Sequence, residues 1–163
     1  MKIAARNGRP PGQCELFQLF RPSGEVGRFE NSLGTRIRAN LASMFKEALQ
    51  SVVDGTDGGI AGLLMDFEGI PLESYAKDDA VVDIETVGAE VSVVVKGIQR
   101  ATEMLDAGAT REVSFKSDKM ITLIRVINEG YFVALTLKPD ANLGKGRYLL
   151  RLLAPKLAEE LAA

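Results

Sequence analysis

DIETVGAEVSVVVKGIQRATEML, residues Asp83–Leu105, is the stretch whose reading decides the fold. Within it, Val91-Ser92-Val93-Val94-Val95 alone reads as a strand, because β-branched side chains favour extended backbone. The longer period overrules that reading. Ile84, Val87, Val91, Val94, Val95, Ile98 and Leu105 fall on one side of a helix turning about 100° per residue. Asp83 can cap such a helix and Gly108 can stop it, so the spacing predicts one long helix from Asp83 to about Ala107. Glu85, Lys96, Gln99 and Glu103 form its polar flank.

A second, narrower surface lies roughly opposite the first. It carries Ala89, Val93, Gly97 and Met104, with Arg100 beside them. A helix covering one side of a sheet needs a single apolar face. The extra stripe has small residues at 89 and 97, which permit close approach of another helix. It is read as a subunit or partner contact, since exposed apolar patches mark interaction sites. Burial beneath the N-terminal residues of the same chain is the competing explanation.

On either side of this helix the sequence predicts strands. Ile60–Asp66 is apolar on both faces, Glu68-Gly69 turns, and Ile70–Tyr75 returns as a hairpin partner. Pro71 lacks the N–H that a central ladder requires, which puts that strand at a sheet edge. Arg111–Ser117 alternates, with Val113 and Phe115 on one face. Met120–Ile127 is almost wholly apolar, and Tyr131–Leu137 follows a turn at Asn128-Glu129-Gly130. The short connections make these three an antiparallel meander. Asn142 opens a last helix with Leu149, Leu150, Leu153, Leu157 and Leu161 as its buried stripe, and Pro155 is expected to kink it. Ahead of the hairpin, Met44–Val53 reads as a short amphipathic helix ended by Asp54-Gly55.

Residues 1–43 are broken by Pro10, Pro11, Gly12, Pro22, Gly24, Gly27 and Gly34 and read as a poorly ordered extension, leaving 44–163 as the folded domain. Two apolar patches remain in the extension, Leu16–Phe20 and Ile37–Leu41. Its net charge is about +4, against about −6 for the rest, an asymmetry that also suggests a separate tail. Met44 is a candidate native start, with the residues before it an upstream extension of the reading frame.

Composition excludes much chemistry. There is no histidine, which removes His-dependent acid–base catalysis and His-built metal sites. Cys14, the one cysteine, has no histidine partner and no disulfide partner, and a reducing, cytoplasmic location is expected. No apolar run reaches the length of a membrane span, and a net charge of −2 calls for no nucleic acid. Gly144-Lys145 lacks the earlier glycine of a phosphate-binding loop and is followed by Gly146. Gly55, Gly58, Gly59 and Gly62 precede a strand, whereas a dinucleotide fingerprint follows one. Asp78, Asp79, Asp83 and Glu85 read as helix-start carboxylates favoured by the dipole, with a divalent ion as the lesser alternative. Arg100, Arg125, Arg147 and Arg151 read as surface charges or members of local ion pairs. No catalytic residue, cofactor or metal is expected, and the chain is not expected to be an enzyme.

The segment Leu137-Lys138-Pro139-Asp140-Ala141-Asn142-Leu143-Gly144-Lys145-Gly146-Arg147 resembles the passage from last strand to last helix in the roadblock/dynein light-chain family. Leu64-Met65-Asp66-Phe67-Glu68-Gly69-Ile70-Pro71-Leu72 is similar to that family's first hairpin, and the resemblance spans about residues 44–161. It implies an α+β fold ordered α-β-β-α-β-β-β-α. The implied sheet is antiparallel and five-stranded, in order 2-1-5-4-3, with the long helix on one face and the terminal helices on the other. It also implies dimerisation through the third strand and the long helix, which would recruit Ala89, Val93, Gly97, Met104, Val113 and Phe115. Bacterial members similar to this chain include the Mgl-type regulators of small Ras-like GTPases. On that model Lys96, Arg100 and Glu103 would be partner contacts on paired long helices. The expected function is therefore a homodimeric GTPase regulator, with self or another roadblock-family protein as the second subunit. A non-catalytic scaffold of the same fold is the alternative, and an enzyme or small-ligand sensor is a more distant one.

Overall fold

The computed structural model describes residues 32–77 and 83–162, with side chains from Asn40 onward apart from that of Glu85. The Leu16–Phe20 patch, Cys14 and the Asp78-Asp79 pair lie outside the described residues. In chain order the elements are α1 (Ser32–Gly55), β1 (Gly59–Asp66), β2 (Pro71–Ala76), α2 (Ile84–Met104), β3 (Glu112–Lys116), β4 (Ile121–Val126), β5 (Tyr131–Leu137) and α3 (Leu143–Leu161). The strands form one antiparallel sheet in the order β2-β1-β5-β4-β3. This is the α+β arrangement that the family resemblance implies, with the Pro71 strand at an edge as its missing N–H predicts.

The sheet is packed on both sides. Ala61, Leu63, Met65, Ile124, Phe132 and Ala134 face α2 and meet Ile84, Val91 and Val95. Leu64, Leu123, Val133, Leu135 and Leu137 face the other way and meet Phe45, Leu49, Val52 and Val53 of α1 and Leu150, Leu153 and Leu157 of α3. This two-sided burial explains why β1 and β5 read as continuous apolar runs rather than alternating ones.

Helix α1 begins at Ser32, well ahead of the Met44 start read from the sequence, and it absorbs the Ile37–Leu41 patch. Ile37, Leu41 and Phe45 continue the Leu49/Val53 stripe backwards at four-residue spacing, so the period holds through Gly34, a single weak helix former. Leu41 and Met44 pack against the core, which makes this part of the helix continuous with the folded body. The β1–β2 turn is tied by Asp66, whose carboxylate accepts the Ile70 N–H at 2.8 Å.

Helix α3 starts at Asn142, whose side-chain oxygen accepts the Lys145 N–H at 3.0 Å. It runs on through Pro155, whose ring lies on the exposed face. Asp83 caps α2 by accepting both the hydroxyl of Thr86 at 2.6 Å and its N–H at 3.3 Å.

The other end of α2 stops before Gly108. The Ala107 N–H reaches the Thr102 carbonyl at 2.9 Å and the Asp106 N–H reaches Glu103 at 3.1 Å. These bonds make a Schellman motif, with Asp106 in the left-handed conformation at φ 50°. A glycine usually takes that position, which is why the sequence points to Gly108 instead.

Candidate functional site

The outer surface of α2 is the main unburied apolar feature of the described residues. Val93 is 67% exposed and Met104 83% exposed, with Ala89 and Gly97 open to solvent between and beside them. The stripe predicted at Ala89, Val93, Gly97 and Met104 is therefore not sealed by the described part of the chain. A Cβ added at Gly97 would meet nothing within 4 Å.

Two residues assigned to the buried face are corrected. Val94 is 52% exposed and Leu105 76% exposed. The helix sits against β1 and β2, and its inward side is centred nearer Gly88, Val91 and Val95. Its buried arc is thus rotated toward Gly88 and Ser92 and away from Val94. Leu105 follows the last helical residue, so the helical period no longer governs it.

The tight helix-to-sheet contact is at Gly88, which the sequence reading passes over. A Cβ there would stand 2.1 Å from Leu63 Cδ2 and 2.8 Å from Met65 Cε. Counting apolar side chains cannot find a glycine, although the backbone approach that glycine permits is the signal.

The charged residues expected at a partner contact differ in their engagement. Lys96 reaches from α2 to Glu68 in the β1–β2 turn at 3.0 Å, with both side chains largely in water. Arg100 and Glu103 are exposed on the same helix. Glu103 also lines an open cleft of about 790 Å³ between the end of α2 and the β4–β5 turn, with Gln99, Thr102, Asp106, Arg111 and Glu129. Three of those six side chains are acidic and one is basic. The hydroxyls of Thr102 and Thr110, which also line it, lie 3.0 Å apart. Among the described residues no group of three or more His, Cys, Asp or Glu is placed to hold a metal ion. No described helix is long and apolar enough to cross a membrane.

Strand β3, at the sheet edge opposite β2, carries the remaining two predicted contacts. Val113 is half-buried and packs under the α2 side, while Phe115 on the same face is 39% exposed. The opposite face of β3 holds a network that the sequence does not announce. Glu112 accepts the Arg147 Nε–H at 2.7 Å and faces Arg125 at 3.7 Å. Arg147 also donates from Nη2 to the Ser114 hydroxyl at 3.2 Å. Arg125 and Arg147 are thus members of a local ion pair, and α3 is fastened to the edge strand. Partners this distant in sequence leave no spacing signal.

No family model matches the sequence, and no curated protein does. Solved structures do. MglC from Myxococcus xanthus is 38% identical, with a TM-score of 0.53, over 71% of this chain and 98% of that one. A roadblock/LC7 domain from Streptomyces avermitilis is 15% identical, with a TM-score of 0.66, over 72% of this chain and 98% of that one. The gliding protein MglB of Thermus thermophilus is 20% identical, with a TM-score of 0.67, over 73% of this chain and 89% of that one. The last two bear on fold alone, while the identity to MglC along nearly its whole length establishes kinship. The chain belongs to the roadblock family.

Proposed function

We propose that this protein is a homodimeric regulator of a small Ras-like GTPase, which docks on the outer face of α2 and undergoes its hydrolysis cycle there. The protein itself turns over no substrate. The observation that carries this reading is the unburied apolar stripe at Val93 and Met104, bordered by Lys96, Arg100 and Glu103. Kinship with MglC supports it. Regulation then consists of binding one arrangement of the GTPase switch loops more tightly than the others. A tenfold shift between arrangements requires a differential affinity of about 1.4 kcal/mol.

The test is multiple-turnover phosphate release by the cognate GTPase, with and without this protein. A changed rate is expected. Equal rates would overturn the regulator reading in favour of a non-catalytic scaffold of the same fold. Val93→Glu supplies the surface control. At an exposed position it should move folding stability by no more than about 0.5 kcal/mol. It should halve the mass measured by light scattering and return phosphate release to the rate of the GTPase alone.

A further inference from the structure

The side of α3 turned away from the sheet carries an exposed ridge of its own. Lys145, Tyr148, Leu152, Pro155 and Glu159 follow one another at intervals of three, four, three and four residues, and all five are exposed. That is the heptad spacing of a helix–helix seam, about 21 Å long at a rise of 1.5 Å per residue. Its middle is apolar, with Tyr148 58% exposed, Leu152 50% exposed and Pro155 continuing their line. The charges at its ends run against the helix that carries them. The positive end of the α3 dipole favours carboxylates, yet the first turn has no acidic residue and holds Lys145. The negative end favours cations, yet the last turn has no basic residue and holds Glu159 and Glu160. Lys145 meets Asp57 at 3.7 Å with both side chains exposed, a kind of pair that contributes little. Glu159 makes no ion pair among the described residues. A layout that its own helix disfavours is complementary to an antiparallel neighbour of the same sequence.

We propose that a second copy of this chain docks antiparallel on the α3 ridge, centred on Leu152. The ridge lies across the sheet from α2, so this contact goes beyond the GTPase-regulator reading and does not rest on it. Lys145 and Glu159 stand equally far from Leu152 on either side, so each lysine meets the other copy's glutamate, twice by symmetry. Tyr148 then lies against the other copy's Pro155, and Lys156 flanks the other copy's Tyr148 ring, whose face attracts cations. Arg151 stands near its own copy across the axis, one like-charge contact set against two opposite ones. A parallel arrangement would set lysine on lysine and glutamate on glutamate. An anionic membrane fits this surface less well, because residues 44–163 carry a net charge of about −6 and Glu159 closes the ridge. One helix pair buries less than the roughly 800 Å² per partner of a standard interface, so the contact is weak, with a Kd on the order of 0.1–1 mM.

The test is sedimentation equilibrium of the full chain from about 10 μM to about 1 mM. The weight-average mass should rise above its low-concentration value. Leu152→Glu should abolish the rise and leave the low-concentration value unchanged. Lys145→Glu and Glu159→Lys should each weaken the contact about 3–10-fold by setting like charges together, and the double variant should return it to within about twofold of the wild type. Each of these two changes suits the α3 dipole, so a weakened contact cannot be put down to a weakened helix. A mass that stays constant over the whole range overturns the proposal, whatever the phosphate-release assay gives. A double variant that associates no better than either single change overturns the antiparallel arrangement. Co-sedimentation with phosphatidylserine vesicles in place of self-association, lost in Leu152→Glu, would assign the ridge to a membrane and overturn the proposal as well.

Discussion

Gly88 and Gly97 belong to the same helix and meet opposite surroundings. At Gly88 any side chain must displace Leu63 and Met65, both fully buried. Overpacking of that kind costs about 1–3 kcal/mol, partly offset by the roughly 1 kcal/mol that alanine contributes to a helix. Gly88→Ala should therefore destabilise by up to about 2 kcal/mol, seen as a lower urea midpoint with an unchanged slope. Gly97→Ala, with open space around it, should instead stabilise the dilute single chain by up to about 1 kcal/mol. If a neighbouring helix comes close there, the same change should weaken self-association in sedimentation equilibrium. Thr122 and Thr136 make a third residue-scale case. They face each other across β4 and β5, and each has a buried hydroxyl without a hydrogen-bond partner. Valine has nearly the same shape and no hydroxyl to leave unpaired, so Thr136→Val should raise stability by about 1 kcal/mol in the same titration.

At the scale of elements, the helix ends and strand edges carry most of the specificity. Asp106 holds a left-handed position that favours glycine, and the Asp106→Gly change should stabilise the end of α2 by about 0.5–1 kcal/mol. Amide exchange at Asp106 and Ala107, whose N–H groups close the motif, should slow accordingly. The order of elements was legible in the sequence because each has a period long enough to count. The Asp83–Leu105 stretch reads as a helix only over its full length, and Pro71 alone places β2 at an edge. Three features were not legible, each for a physical reason. The first turns of α1 follow a run rich in proline and glycine that masks a continuing four-residue stripe. The rotation of α2 on the sheet is set by Gly88, a residue with no hydrophobicity to tally. The Glu112–Arg147 contact joins β3 to α3 through tertiary folding alone. Of the candidate surface, the α2 stripe was visible in advance, while its extension over Val94 and Leu105 was not.

For the whole molecule, the two faces of the sheet divide the work. Both α1 and α3 close one face, and α2 closes the other while keeping an apolar outer side of its own. If that side and the β3 edge are covered by a second copy, unfolding is linked to dissociation, and the midpoint of thermal unfolding should rise with protein concentration. A midpoint independent of concentration over two decades would mean that the single chain is the cooperative unit. The unequal borders of the sheet have a further consequence, for growth. A ribbon of strands lengthens without limit only when each newcomer offers a fresh free border. Here Pro71 offers no N–H and Glu73 takes that of Ser74, so if a second copy joined at β3, the remaining border at β2 would be a poor template for a third.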